Sequence, residues 1–243
     1  MEFHIRCDAK DIARYVFTPG SHARAKMIAA HFDNARLVSD SRGYLVFTGM
    51  VDGIPMTVSS TGMGGPTTAI CVEELAHLGA DTFIRVGSCG AYQEYVSCGD
   101  VIISTGIFRA GGTANNYLPV EFPAVPTFEV TAALVEAAKK LEIKTHVGLG
   151  SAGDAFYAPR DPAMREVLKQ AGLVSGEMES DTLFVVAALR GWRAGALFTS
   201  DGTATETKPE WGEAAFQQGQ EDAIRIAIEA MKNIALADRS SEG

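Results

Sequence analysis

Apolar residues recur along the chain with two different spacings. Short runs rich in β-branched and aromatic residues predict seven strands, at residues 15–18, 44–51, 55–60, 82–87, 100–108, 145–150 and 194–200. Apolar residues at helical spacing predict five helices, at residues 21–32, 66–79, 130–141, 177–191 and 220–235. Because strands and helices alternate, the sequence predicts an α/β fold with three α/β/α layers, in which helices flank a central sheet.

A turn containing Asp52 and Gly53 separates the predicted strands 44–51 and 55–60. Asp-Gly between two strands is typical of a tight β-hairpin, so we expect a mixed rather than a purely parallel sheet. Neither a repeat nor a low-complexity linker interrupts the chain, which predicts a single domain over residues 1–243. The last residues are small and polar, and they predict a short flexible tail from about residue 237.

Charge and cysteine usage narrow the function classes. Lys and Arg number 21 against 30 Asp and Glu, which gives a formal net charge of −9. Such a chain has no basic excess to attract nucleic acid or an anionic membrane, so any anion site has to be local. Four cysteines without metal-ligand or disulfide spacing favour a reducing compartment. The N-terminus has no apolar targeting segment, and we expect a cytoplasmic protein.

Two glycine-rich turns follow predicted strands, where ligands bind in open α/β sheets. In the first, Gly20 ends a strand and Ser21 can cap a helix that carries Arg24 in its first turn. Free amides beside a guanidinium suit an oxyanion, although a solvated arginine in an ordinary turn is the alternative. The second turn, STGMGGPTTA at 60–69, lacks the G-x-G-x-x-G spacing of a dinucleotide site.

Arg85 interrupts an otherwise apolar strand that the flanking pattern predicts to be buried. A buried arginine needs an anionic partner. Gly87 and Ser88, at the end of that strand, can add an amide and a hydroxyl to a bound anion. A salt bridge to one of the chain's own carboxylates is the structural alternative.

Two further motifs carry carboxylates. Glu177 and Glu179 flank Met178 where a predicted helix begins, and their oxygens can accept hydrogen bonds from the vicinal hydroxyls of a ribose. Alternatively, the negative charges of both glutamates simply stabilise the N-terminus of the helix. Asp201 ends a predicted strand beside Gly202 and is a candidate general acid if burial raises its pKa. An Asp-Gly turn without catalytic function is the alternative.

Together these motifs resemble a known family. HIR, PG-x-x-x-R, RG-x-L-x-FTG, TGMGGP, RVGSCGA, FPAV-x-x-FE, D-x-FY, EME and SDG are similar, in this order, to the hexameric branch of the nucleoside phosphorylase superfamily. Purine nucleoside, methylthioadenosine and uridine phosphorylases belong to that branch. The resemblance implies reversible, phosphate-dependent cleavage of a nucleoside to ribose 1-phosphate and free base. It also implies a homohexamer built as a trimer of dimers, and no cofactor or metal beyond the co-substrate phosphate.

The resemblance further implies a role for individual residues. The phosphate-binding residues would be Gly20, Arg24, Arg85 and Ser88, together with Arg42 from a neighbouring subunit. The ribose-binding residues would be Met63, Met178 and Glu179, with His4 reaching the 5′ hydroxyl across the subunit interface. Phe156 and Tyr157 would bind the base, with Glu177 nearby. Arg85 would orient the phosphate, and Asp201 would protonate N7 of a departing purine.

Departures from the family pattern bear on the substrate. Ser21 stands where the family usually has Asp, and the arginine that assists the catalytic Asp in some purine enzymes has no clear match near Lys208 or Arg225. The Gln and Arg that read uracil after the FY pair are also unmatched, although Arg160 lies close by. The absence of that uracil-reading pair, together with the acid Asp201 of the SDG motif, favours a purine nucleoside. Trp211 is a candidate cover for the base, or equally a core or surface residue.

Other functions stay open as alternatives. The segment YLPVEFPAVPTFE is closer to the uridine branch, which makes uridine the alternative substrate. A nucleosidase that uses water has the same architecture, but it would have no use for the phosphate-binding residues Arg24, Arg42, Arg85 and Ser88. A non-catalytic nucleoside sensor would not need Asp201. A nicotinamide dehydrogenase would need the glycine spacing that the chain lacks.

Overall fold

Nine strands form one mixed sheet in the computed structural model, which describes residues 1–159, 161–203 and 212–241. The strands are β1 Tyr15–Phe17, β2 Asp33–Ser41, β3 Tyr44–Val51, β4 Ile54–Ser59, β5 Thr82–Ala91, β6 Val101–Ala110, β7 Thr145–Gly153, β8 Ser175–Glu177 and β9 Arg193–Thr203. The helices are α1 His22–Ala29, α2 Gly65–His77, α3 Phe128–Lys140, α4 Pro162–Gln170, α5 Ser180–Arg190 and α6 Gly212–Ser241.

The sheet runs in the order β2-β3-β4-β1-β5-β8-β7-β6-β9, and β5 also pairs with β9. This extra pairing closes five strands into a ring, with parallel pairs β5–β9, β6–β7 and β7–β8 and antiparallel pairs β6–β9 and β5–β8. Strands β4, β1, β5 and β9 are parallel neighbours, so their carboxyl ends meet at one edge. The predicted mixed sheet is confirmed.

The hairpin predicted at Asp52 and Gly53 is confirmed. Both residues have positive φ, +48° and +73°, as a two-residue turn between twisted strands requires. A second hairpin joins β2 to β3 through Arg42 and Gly43, with φ of +51° and +85°. The sequence did not predict it, because β2 is an edge strand with six of its nine residues exposed and no apolar alternation.

Alternate residues of the strands feed two separate cores. Ile84 and Leu197 point to one face, where they pack with α1, α3 and α6. Their chain neighbours Phe83 and Phe198 point to the other face and pack with α2 and α5. This alternation is the two-residue period of a sheet covered on both faces, and it confirms the three α/β/α layers. Among the described residues, no helix is both long and apolar enough to cross a bilayer.

Two helical regions differ from the sequence prediction. Helix α4 was missed although Met164, Val167 and Leu168 have helical spacing; it is nine residues long and none of them is buried. Helix α6 extends to Ser241, so the expectation of a flexible tail from residue 237 is wrong for the described residues. Asp238 holds this end in place, since it accepts hydrogen bonds from Arg193 Nη2 at 2.6 Å and from the Tyr15 hydroxyl at 2.9 Å.

Candidate active site

Loops from several parallel strands converge at one edge of the sheet, as expected for this class of fold. The turn after β1 contacts the turn after β4, where the amide of Thr61 donates to the carbonyl of Pro19 at 2.8 Å. A Cβ on Gly20 would lie 3.3 Å from the carbonyl oxygen of Gly62 and 3.9 Å from Nη1 of Arg85. The glycine therefore keeps a narrow space open between two loops and a guanidinium.

Arg85 is 3% exposed and is held by two carboxylates. Its Nε donates to Glu177 Oε2 at 2.9 Å, and its Nη2 forms an ion pair with Glu179. Burial opposes its charge, but Glu179 and Glu177 outweigh burial and raise the pKa of Arg85. Nη1 is buried without a hydrogen-bond partner and faces Gly20. The salt bridge that was the structural alternative for Arg85 is therefore present. Its nitrogen Nη1 nevertheless remains available to donate to an anion.

The two glutamates that bind Arg85 also organise the backbone around it. Glu179 Oε1 accepts from the amide of Gly64 at 2.5 Å, which ties the loop before α2 to the arginine. Glu177 accepts from the amides of Glu179 and Ser180 at 3.1 and 2.9 Å. Burial raises the pKa of Glu177 against the attraction of Arg85.

Glu177 differs from its predicted surroundings. It ends β8, and α5 begins only at Ser180, so the helix predicted from residue 177 starts three residues late. The side chain of Glu177 is 1% exposed and engaged by Arg85, so its carboxylate is enclosed rather than open to a base. Its carboxylate accepts from the backbone amides of Glu179 and Ser180 at the start of α5. This matches the structural alternative, in which the motif stabilises the helix N-terminus.

Arg24 supplies a second guanidinium beside Arg85. The predicted cap is confirmed, because the Ser21 hydroxyl accepts from the Arg24 amide at 3.2 Å. The side chain is not solvated, since Arg24 is 6% exposed and its Nη2 and Nε donate to Gln220 Oε1 at 2.8 and 3.1 Å. Burial and then the like charge of Arg85 lower the pKa of Arg24 to about 10. Two cations this close favour an anion between them.

The β5–β9 register places the remaining end-of-strand residues. Ser88 is half-buried and lies opposite Thr199, and Cys89 lies opposite Ser200. Asp201 follows Ser200 directly. Its negative charge is close enough to Arg24 to offset part of the lowering of that arginine's pKa. Asp201 is exposed, so the burial that was expected to raise its own pKa is not found.

His4 and Arg42 both contact the ring of Phe3. Arg42 is exposed at its hairpin turn, and its guanidinium lies 5.1 Å from the centre of the Phe3 ring, which also packs edge-on against His4. His4 Nδ1 lies 2.5 Å from Glu74 Oε1. Among the described residues, neither side chain forms a hydrogen bond or ion pair with Arg24, Arg85 or Glu179. Within one chain, the described residues therefore show no direct polar bond between these two side chains and the arginine pair.

Among the expected ribose and base residues, Met63, Phe156 and Tyr157 are open to solvent, unlike the buried side chains of Glu177 and Glu179. Met63 is 82% exposed and Met178 is half-buried. Phe156 and Tyr157 are 63% and 94% exposed, and their rings meet edge to face with centres 5.0 Å apart. Arg225 pairs with Asp222 on the surface of α6, at 3.4 Å. Arg160, Lys208 and Trp211 lie outside the described residues.

Sequence reasoning found Arg24 and His4 but missed their partners. In the sequence, Gln220 occupies an ordinary polar position of one amphipathic helix, and Glu74 occupies a position on the polar face of another. Each contacts a residue far away in the chain, with 196 positions between Gln220 and Arg24 and 70 between Glu74 and His4. Apolar periodicity along one segment contains no signal for such contacts.

The α/β/α sandwich with its partly closed mixed sheet carries two buried arginines, Arg24 in α1 and Arg85 within β5, an arrangement suited to binding an oxyanion. Residues 14–236 match the Phosphorylase superfamily, and the chain belongs to that family. Its relatives are nucleoside phosphorylases, which are pentosyltransferases that use nucleoside and phosphate as substrates. The sequence-based resemblance is thereby confirmed.

Individual relatives are mostly uridine phosphorylases. The uridine phosphorylase of Thermococcus kodakarensis is 41% identical over 254 residues, which cover 100% of this chain and 90% of the relative. A solved structure of uridine phosphorylase from Vibrio fischeri ES114 superposes with a TM-score of 0.90 at 29% identity, covering 95% of this chain and 96% of that one. A guanosine phosphorylase of Halorubrum lacusprofundi is 36% identical over 235 residues, or 94% of this chain and 97% of the relative. The uridine alternative is thus better supported than the purine reading.

Proposed function

We propose that this protein is a uridine phosphorylase, which transfers the ribosyl group of uridine to inorganic phosphate and releases uracil. The observation that carries the phosphate-dependent reaction is the buried pair Arg24 and Arg85, of which Arg85 keeps an unpartnered Nη1 facing Gly20. Full-length similarity to uridine phosphorylases supports the choice of base. A water-using nucleosidase would gain nothing from this buried positive charge.

The phosphate would lie between the turn after β1 and the end of β5. Arg24 and Arg85 contribute guanidinium donors, Gly20 leaves room for an oxyanion, and Ser88 adds a hydroxyl. A phosphate dianion with charge-assisted donors on several sides is both neutralised and oriented. Arg42, which is exposed at the β2–β3 turn, would reach this site from a neighbouring subunit. The functional unit would then be an oligomer, and we propose a homohexamer built as a trimer of dimers.

The ribose would lie beside Glu179. Its carboxylate already bridges Arg85 and the amide of Gly64, so a sugar hydroxyl bound there would be placed at a fixed distance from the phosphate site. Met63 and Met178 would cover the sugar, and His4 of a neighbouring subunit would receive the 5′ hydroxyl. Phosphate attacks C1′ as the C1′–N bond breaks and the sugar becomes cationic. Positioning and electrostatics supply most of the rate enhancement, without a metal or organic cofactor.

The base would contact Phe156 and Tyr157, whose exposed rings offer apolar faces for a heterocycle. Uracil has no N7, so Asp201 would not serve as the acid that a purine requires. Its position beside Arg24 gives it an electrostatic influence on the phosphate site instead. Guanosine is the second candidate substrate, because Asp201 suits a purine and the Halorubrum relative is a guanosine phosphorylase.

Release of free base from uridine, guanosine and inosine, each with and without phosphate, tests this proposal. We expect uridine to react fastest and only with phosphate. Preference for guanosine or inosine would keep the phosphorylase reaction and overturn the base assignment. Base release without phosphate would identify a nucleosidase and would contradict the role given to the two arginines.

A further inference from the structure

The two buried arginines differ in the charge of their partners. Arg85 is bound by two carboxylates, whereas the hydrogen-bond acceptors of the Arg24 guanidinium are the side-chain oxygen of Gln220 and the carbonyl oxygen of Val86. The turn that precedes Arg24 carries Ser21, whose hydroxyl is also neutral. No carboxylate lies within ion-pair distance of Arg24 in the parts of the chain that the structure describes.

Gln220 is held in one orientation by its own helix. Its Nε2 donates to Gln217 Oε1 at 3.1 Å, and Gln217 Nε2 donates to Glu213 Oε1 at 2.8 Å. Since the amide nitrogen is occupied in this way, the amide oxygen faces Arg24 and accepts from both Nη2 and Nε. Gln220 is 7% exposed, so water does not compete readily for these bonds.

We propose that Gln220 is a positioning residue that fixes Arg24 through a neutral acceptor and so leaves its positive charge for phosphate. The inference rests on the proposed phosphorylase function and adds a residue that determines phosphate affinity. A carboxylate at this place would bind the guanidinium as an ion pair and would compete with the dianion. Arg85 is already paired with Glu177 and Glu179, whereas no described carboxylate lies within ion-pair distance of Arg24 and Asp201 acts on it only from further away.

Gln220→Glu tests this inference, because it changes the charge and hardly changes the shape. We expect the KM for phosphate to rise about tenfold or more, the worth of a charge-assisted hydrogen bond, while the KM for the nucleoside changes less than about threefold. Gln218→Glu is the matched control. It adds the same charge two residues away on the exposed face of α6, and the KM for phosphate should stay as in the unmodified protein.

A structural role alone predicts the opposite result. Glutamate is the stronger partner for arginine, so a Gln220→Glu protein with unchanged or lower KM for phosphate would overturn the proposal. If that variant does not fold, Gln220→Met removes the acceptor at similar size. It should raise the KM for phosphate with little change in the KM for the nucleoside, and an unchanged phosphate KM would again refute the inference.

Direct binding separates this inference from the proposed function. Inorganic phosphate alone should raise the melting temperature of the unmodified protein and of Gln218→Glu, and should raise that of Gln220→Glu much less at the same concentration. This measurement needs no nucleoside turnover. Equal stabilisation of all three proteins would refute the role of Gln220, whereas a failure to cleave any nucleoside would refute only the proposed function.

Discussion

Glu74 fixes the position of His4 through three separate donors. Its carboxylate lies 2.5 Å from His4 Nδ1 and accepts from the backbone amides of His4 and Ile5, each at 2.9 Å to Oε2. Burial works against the charge, but these hydrogen bonds lower the pKa of Glu74. An ionised carboxylate selects the tautomer with the proton on Nδ1 and leaves Nε2 of His4 for an outside hydroxyl.

Glu74→Gln should therefore weaken recognition of the 5′ hydroxyl. We expect kcat/KM for uridine to fall about tenfold, the worth of one hydrogen bond to a correctly oriented imidazole, because the amide no longer selects the tautomer. Kinetics with 5′-deoxyuridine provide the internal control, since that substrate lacks the group His4 would bind. Equal losses for both substrates would mean that Glu74 supports the fold and has no part in reading the sugar.

Asp201→Asn distinguishes the two candidate bases. Because uracil offers no N7, we expect kcat for uridine to fall less than about tenfold, whereas turnover of guanosine should fall about 10²- to 10⁴-fold, as when a general acid is lost. Both rates can be followed by base release in saturating phosphate. Glu179→Gln is the comparison variant, since it should impair both substrates through the shared ribose. A large loss with uridine would assign Asp201 a direct catalytic role in its cleavage.

The features predicted from sequence are those encoded locally. Arg85 was recognised because a charge in an apolar strand needs a partner, and the hairpin at Asp52 and Gly53 because its turn demands positive φ. What the sequence did not reveal depends on distant contacts or on missing burial. Strand β2 shows no apolar alternation because most of its residues are exposed, whereas α4 places its few apolar residues at helical spacing within only nine residues, none of them buried. The partners Gln220 and Glu74 become visible only when separate elements are packed together.

The predicted tail and the environment of Glu177 failed for the same physical reason. A run of small polar residues at a terminus resembles a frayed end, but Arg193 and Tyr15 hold Asp238 through contacts that the local sequence does not contain. Glu177 resembles a helix-start residue, but pairing of β8 with β7 at Ala152 and Glu177 extends the strand to it. Tertiary contacts outweighed local preference in both cases.

Asp181 should make the stability of the protein depend on pH. Its Oδ1 accepts from the amide of Thr182 at 2.6 Å, but its Oδ2 is buried without a partner. A Cβ on Gly111 would lie 2.8 Å from that oxygen and 2.9 Å from Asp154 Oδ1, so two carboxylates face the same point. Burial, with Glu177 and Asp154, raises the pKa of Asp181 to about 6.

The raised pKa fixes the direction of this effect. The unfolded chain loses the Asp181 proton near pH ~4, before the folded protein does, so this group destabilises the fold increasingly from about pH 4 to about pH 6 and constantly above. Asp181→Asn keeps an oxygen for Thr182 and should raise the free energy of unfolding at pH 8 by ~1–3 kcal/mol. Denaturant titrations at pH 4 and pH 8 measure the difference. A gain that is absent at pH 8, or equal at both pH values, would contradict the assignment.

Gly219 allows helix α6 to approach the loop before β6 closely enough for Gln220 to reach Arg24. A Cβ on Gly219 would lie 2.1 Å from the carbonyl oxygen of Gly99 and 2.7 Å from Thr199 Cγ2. Alanine gains ~1 kcal/mol over glycine in helix propensity, but the clash is with backbone and costs ~1–3 kcal/mol or more. We therefore expect Gly219→Ala to lower the melting temperature by several degrees.

The same substitution should also raise the KM for phosphate, because moving α6 outward draws the Gln220 amide away from Arg24. Gln218→Ala is the control, since it adds helix propensity on the exposed face of α6 without a backbone clash, and it should leave both quantities nearly unchanged. Thermal unfolding and phosphate kinetics on the two variants test the coupling. A destabilised Gly219→Ala protein with normal phosphate affinity would show that α6 packing and the arginine site are independent.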